Sequence, residues 1–78
     1  MPGAFVLINT EAATEAGILK ELRRMSDVKE AHVVYGSYDI TAKIEGESIN
    51  KLREIVTSKI RRIPEITSTL TMIVVEGV

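Results

Sequence analysis

Two short stretches hold most of the chemical capacity of this 78-residue chain. The first, Gly36-Ser37-Tyr38-Asp39, places a flexible backbone, a phenol and a carboxylate at one tip. Glycine and aspartate are also ordinary turn residues, and an aspartate in a turn often satisfies its own backbone. The second, Thr67-Ser68-Thr69-Leu70-Thr71, carries four hydroxyls in five residues. In an extended segment, alternation puts Thr67, Thr69 and Thr71 on one side, a row of short donors and acceptors that could hold a carboxylate or an ammonium group. The plainer reading is that threonine is a good strand residue on a wet face.

The residue types that most reactions need are scarce. Catalysis calls for a nucleophile with a base, a carboxylate pair or a metal cluster, and the chain has no cysteine and one histidine, His32. His32 and Tyr35 are three apart in an extended run, so their side chains point to opposite faces and form no simple dyad; His32 reads as a packing or interface residue. Without paired cysteines, a second histidine or an oxygen-rich loop, neither a metal nor another cofactor is expected. No glycine-rich phosphate loop precedes either helical segment. Phe5, Tyr35 and Tyr38, the only aromatics, make a poor stacking platform for nucleic acid.

Charge and hydropathy narrow the setting further. Ten basic residues against eleven acidic ones give a net charge of −1, so no overall field draws the chain to nucleic acid or to an anionic membrane. No apolar run approaches the roughly 20 residues that cross a bilayer, and no basic segment precedes the first apolar one. A soluble, cytoplasmic protein is expected, and the lack of cysteine fits a reducing compartment.

The elements that must position these residues follow from periodicity. Ala4-Phe5-Val6-Leu7-Ile8, bounded by Pro2-Gly3 and Asn9-Thr10, reads as a buried strand. Thr10 is expected to cap a helix over residues 12–26, with Ala16, Leu19, Leu22 and Met25 at three-residue steps and Gly17 a local weak point. Ala31 to Tyr35 reads as a second strand, turning at Gly36 into a third in which Ile40, Ala42 and Ile44 alternate with Thr41, Lys43 and Glu45. Ser48 is a good cap for a second amphipathic helix through Ile49, Leu52, Val56, Ile60 and Ile63, which Pro64 stops. Residues 68–75 form the last strand, and Ile73-Val74-Val75 suits cover on both sides. Arg23 to Val28 matches Arg61 to Ile66 at a constant offset of 38, so the chain reads as two βαβ halves joined by a hairpin. This is the α+β, ferredoxin-like βαββαβ sandwich with a four-stranded antiparallel sheet.

Two helices cover one face of such a sheet, yet strand 1 is apolar on both faces. Monomers rarely tolerate so large an exposed apolar patch, and a domain of this size is marginal without disulfides, metal or association. A homo-dimer packed sheet to sheet, in the manner of a dimeric α/β barrel, is expected, with larger rings built from it.

Taken together, the run from Val28 through Val34-Tyr35-Gly36-Ser37-Tyr38-Asp39, the helix end Ile60-Arg61-Arg62-Ile63-Pro64-Glu65-Ile66 and the strand Ser68-Thr69-Leu70-Thr71 resemble the effector-binding (RAM) domain of the Lrp/AsnC transcriptional regulators. The resemblance covers essentially the whole chain. It implies a ferredoxin-like fold, dimers joined through their sheets, octameric or similar rings, and amino acids bound in clefts between dimers. Carried over position by position, Gly36, Tyr38 and Asp39 would line the cleft, Asp39 would meet the ligand ammonium, and Thr69 and Thr71 would bond its polar groups. Backbone amides near Gly36 could take its carboxylate. Family regulators carry an N-terminal helix-turn-helix domain, whereas here the first strand begins at Ala4. A stand-alone domain that does not bind DNA directly is therefore expected, modulating a full-length regulator by mixing with its subunits. The rivals are a small dimeric ferredoxin-like enzyme of oxygenase or isomerase type relying on His32, Tyr35 or Tyr38, and an oligomerisation module without a ligand.

Overall fold

A computed structural model describes residues 1–75. Strand β1 (Gly3–Thr10), helix α1 (Glu15–Arg24), strands β2 (Val28–Val33) and β3 (Ile40–Glu45), helix α2 (Ile49–Ile55) with a π-helical turn (Val56–Ile60), and strand β4 (Ile66–Ile73) follow in order. The sheet order is β2-β3-β1-β4, with every neighbouring pair antiparallel. This is the expected ferredoxin-like topology. The 38-residue repeat is realised in it, since Val28 and Ile66 each open the strand that follows a helix.

Side-chain alternation decides which face of the sheet is covered. Ala4, Val6 and Ile8 of β1 and Ile40, Ala42 and Ile44 of β3 are buried, packed under Ile18 and Leu22 of α1 and Leu52 and Ile55 of α2. On the other face the register sets Phe5 between Lys43 and Met72, and Leu7 between Thr41 and Leu70. Phe5, Leu70 and Met72 remain exposed there, at 42%, 45% and 46%. Lys43 covers Phe5 only loosely, its Nζ lying 5.9 Å from the ring centroid.

Several boundaries differ from expectation. Thr10 is the last residue of β1 and caps nothing; the chain turns at Ala13 before α1 starts at Glu15, and the Thr14 hydroxyl donates back to the Glu11 carbonyl at 2.7 Å. Ala13 adopts φ +65°, a left-handed conformation in which a Cβ costs about 1–2 kcal/mol. Glycine removes that cost but gives back part of it in chain entropy. Ala13→Gly is therefore expected to stabilise the domain by about 0.5–1 kcal/mol and raise its melting temperature by roughly 2–8 °C. A lower melting temperature in a thermal melt would refute this account of the turn.

β2 lies earlier than expected and ends at Val33, because the Val34 amide donates to the Asp39 carbonyl at 2.9 Å and closes the hairpin. Tyr35 thus leaves the ladder with its side chain in solvent. Gly36 takes φ +140°, a conformation that favours glycine. Ser48 caps α2 as expected, accepting from the Lys51 amide at 3.1 Å. After Ile55 the helix widens, and the Arg61 amide reaches the Val56 carbonyl at 2.8 Å.

β4 begins two residues earlier than expected and contains an irregularity. Asn9 pairs with Ser68 and Thr10 with Ile66, which leaves Thr67 outside the ladder. The expected row of Thr67, Thr69 and Thr71 is therefore broken. Thr69 and Thr71 stay together on the helix-side face, opposite Ile8 and Val6, and Thr67 does not join them. The cover expected on both sides of Val75 is also missing in the single chain, where Val75 is 71% exposed.

Candidate functional site

The expected ligand residues converge on one end of the sheet. Asp39 directly precedes β3, and its backbone amide donates to the Ile8 carbonyl at 2.9 Å. Ile8 is flanked by Ile40 on one side and Thr69 on the other, so the hairpin and Thr69 sit on either side of β1, about 10 Å apart at a strand spacing of ~4.8 Å. Thr71, opposite Val6, lies one alternation further along, about 7 Å away. Tyr38 and Thr69 are half-buried, whereas Gly36 and Thr71 are exposed. The structure thus groups Gly36, Tyr38, Asp39 and Thr69 at one end and leaves Thr71 at the margin.

Asp39 has a structural duty that is invisible in the sequence. Its Oδ2 accepts the Thr10 backbone amide at 2.8 Å, with the Thr10 hydroxyl at 3.5 Å. This brace satisfies the chain where β1 ends and the loop to α1 begins. The other oxygen, Oδ1, makes no hydrogen bond among the described residues and is not fully buried. The neighbouring amide of Glu11 donates to the Glu65 carbonyl at 2.9 Å, and Asn9 Nδ2 donates to Ser68 Oγ at 3.1 Å. Asn9 and Thr10 thus belong to this polar end. Their signal was the abrupt change from an apolar run to two polar residues.

The larger depressions of the single chain lie elsewhere. One of about 580 Å³ runs between α1 and the segment after α2, past Thr14, Gly17, Glu21 and Pro64. His32 borders an open hollow of about 300 Å³ on the β2 edge with Arg23 and Glu30, away from the space between sheet and helices. Its Nε2 lies 3.4 Å from Glu30 Oε1, both side chains being exposed. Tyr35 and Tyr38 do not join it there. Among the described residues no three histidine or carboxylate side chains gather as a metal site, and no helix is long and apolar enough to cross a membrane.

Residues 3–78 match the family model described as the Lrp/AsnC ligand binding domain. This chain belongs to that family. The Lrp/AsnC domain is 35% identical over 76 residues to the regulatory protein AsnC of Escherichia coli, covering 96% of this chain and 50% of AsnC. It spans about half the length of most of the curated regulators it matches. Among solved structures, FFRP-DM1 is 44% identical with a TM-score of 0.92, and the match covers 96% of this chain and 100% of that one. The transcriptional regulator NMB0573 from Neisseria meningitidis, solved as an L-Met complex, shares only the fold, at 14% identity and a TM-score of 0.84 over 99% of this chain and 51% of that one.

Proposed function

We propose that this Lrp/AsnC domain binds an amino acid at a site completed by further copies of the chain and reports occupancy through its assembly. One observation carries the reading: the face formed by Phe5, Leu7, Leu70 and Met72 has no helix over it. Burying the exposed half of such side chains contributes about 1 kcal/mol each, and a second copy presents the same surface. Sheet-to-sheet pairing supplies the burial that a domain of this size lacks by itself.

The polar end supplies the ligand chemistry. Asp39 Oδ1 meets the ammonium, amides around Gly36 receive the carboxylate, and the Thr69 and Thr71 hydroxyls bond remaining polar groups, with Tyr38 lining the approach. In the single chain these groups are half-buried or exposed, and a neighbouring copy closes the site. An effector enclosed between copies stabilises whichever assembly encloses it better, by about 2.7 kcal/mol at a concentration of roughly 100 times Kd. The relatives are transcriptional regulators, and a full-length regulator of this family is the further partner this reading admits. This reading places the protein in the cytoplasm and needs neither a cofactor nor catalysis.

The brace to Thr10 dictates the variant that tests it. Asp39→Ala would leave the Thr10 amide unpaired at about 1–3 kcal/mol, confounding ligand loss with damage to the loop. Asp39→Asn keeps an acceptor for that amide and removes the charge. With a panel of the common amino acids at about millimolar concentration, at least one is expected to raise the wild-type melting temperature by several degrees or change its sedimentation. Asp39→Asn should keep the ligand-free melting temperature and lose at least about tenfold in apparent affinity. If no amino acid alters either property of the wild type, the sensing role is wrong.

A further inference from the structure

The double-arginine repeat takes no part in the site above, yet the second arginine of each pair comes to one place. Arg24, the last residue of α1, and Arg62, in the turn after the π-helical segment, line a single hollow of about 420 Å³. Arg23 is occupied elsewhere, donating to the Ala31 carbonyl from both Nε and Nη2. Lys59 borders the same hollow but is paired with Asp27. Arg24 and Arg62 make no ion pair among the described residues.

Compensation of helix C-termini explains why basic residues stand at these positions. It leaves their spare donors unexplained, because nearby carbonyls are met by the backbone: the Met25 amide donates to the Leu22 carbonyl and the Ile63 amide to the Ile60 carbonyl, both at 3.1 Å. Two guanidiniums that share one hollow repel each other, and an anion bound between them removes that cost. The rest of the lining differs in kind. Half-buried Met25 and exposed Pro64 add an apolar surface beside the arginines, and Glu21 adds a carboxylate.

We infer that this hollow binds a small molecule that carries a phosphate group next to a flat ring, as a nucleoside diphosphate does. The forked N–H donors of Arg24 and Arg62 suit phosphate oxygens. The ring lies against Met25 and Pro64, and Glu21 accepts from a ribose hydroxyl or an exocyclic amine. The volume falls in the range of about 300–1,000 Å³ usual for small-molecule sites. Phosphate alone would use the arginines and leave the apolar lining idle. A duplex would also meet the arginines, but Glu21 and Asp27 stand close by and the chain carries a net charge of −1, so no field holds a long polyanion. None of the residues lining the hollow belongs to the Asp39 end of the sheet, so occupancy here is an input separate from the amino acid.

Calorimetric titration of the whole chain with magnesium-free ADP, in about 0.05 M salt to limit screening, tests this. A single site per chain is expected, with a Kd of about 10–500 μM. Pyrophosphate should bind at least about fivefold more weakly, because it cannot cover the apolar lining. Arg24→Gln and Arg62→Gln should each keep the circular dichroism of the wild type, since both side chains are exposed, and each should lose at least about tenfold in affinity for ADP. Arg61→Gln removes the same charge from an exposed neighbour outside the hollow and should bind ADP within about twofold of the wild type. No binding of ADP up to about 5 mM, pyrophosphate bound as tightly as ADP, an Arg24 or Arg62 variant with wild-type affinity, or an equal loss in Arg61→Gln would each overturn the inference.

Discussion

Leu70→Asp is expected to give a folded single copy under conditions where the wild-type chain is paired. Leu70 stands on the helix-free face beside Leu7 and is 45% exposed in the single chain, so the substitution leaves the core beneath the helices untouched. In a face-to-face pair the change acts twice, once from each copy. Each copy loses the burial of the exposed 45% of a leucine, worth about 1 kcal/mol, and introduces a carboxylate that would be buried without a partner, at a cost of at least about 1–3 kcal/mol more. A total of at least about 4 kcal/mol corresponds to a roughly 1000-fold weaker pair. Sedimentation over a concentration series reads this directly, with circular dichroism verifying the fold. A variant that still pairs within a few-fold of the wild type would show that the apolar face is not the interface.

Leu22→Ala is expected to remove a large share of the stability of the domain. Leu22 is 0% exposed, packed from α1 onto the sheet, and truncating a buried leucine costs about 2–5 kcal/mol because the surroundings refill the space only in part. Domains of this size hold only about 4–12 kcal/mol in total. A loss of about 3 kcal/mol lowers the melting temperature by roughly 12–24 °C. Melts of the variant and the wild type must be compared at equal protein concentration, because association adds to apparent stability. A shift of about 2 °C or less would mean that α1 is not anchored as described.

The architecture was legible because its determinants are local or periodic. Ile40, Ala42 and Ile44 alternate with polar residues in the sequence, and they alternate in burial in the structure. Ser48 caps its helix in the manner its sequence context implied. Thr10 misled because a threonine before an acidic residue suits a helix start equally well, and its true partner, the Asp39 carboxylate, lies 29 residues away. Tyr35 reads as part of β2 because it has a strand former's side chain, but the Val34 amide bonds the Asp39 carbonyl across the hairpin and ends the ladder first. The site was partly visible for the same reasons. A glycine next to a tyrosine and an aspartate marks a turn wherever it occurs, whereas the irregularity that removes Thr67 from the threonine row depends on where Asn9 and Thr10 sit against β4. No sequence pattern announced that half of the Asp39 carboxylate is already engaged, since that follows only from where β1 ends.

The widened turn at Val56–Ile60 has a consequence for how this chain tolerates changes in length. A π-helical turn within a helix holds a surplus residue in its coil, while Val56 at its start and Ile60 at its end both remain on the buried side. The surplus lies among Thr57, Ser58 and Lys59, all on the outer surface. Trimming one of them would tighten the coil to ordinary winding and keep the greasy stripe pointing inward, whereas the same cut at Leu52 or Ile55 would rotate everything after it by about 100°. Natural variation in the number of residues should therefore collect at this bend, where the molecule carries slack.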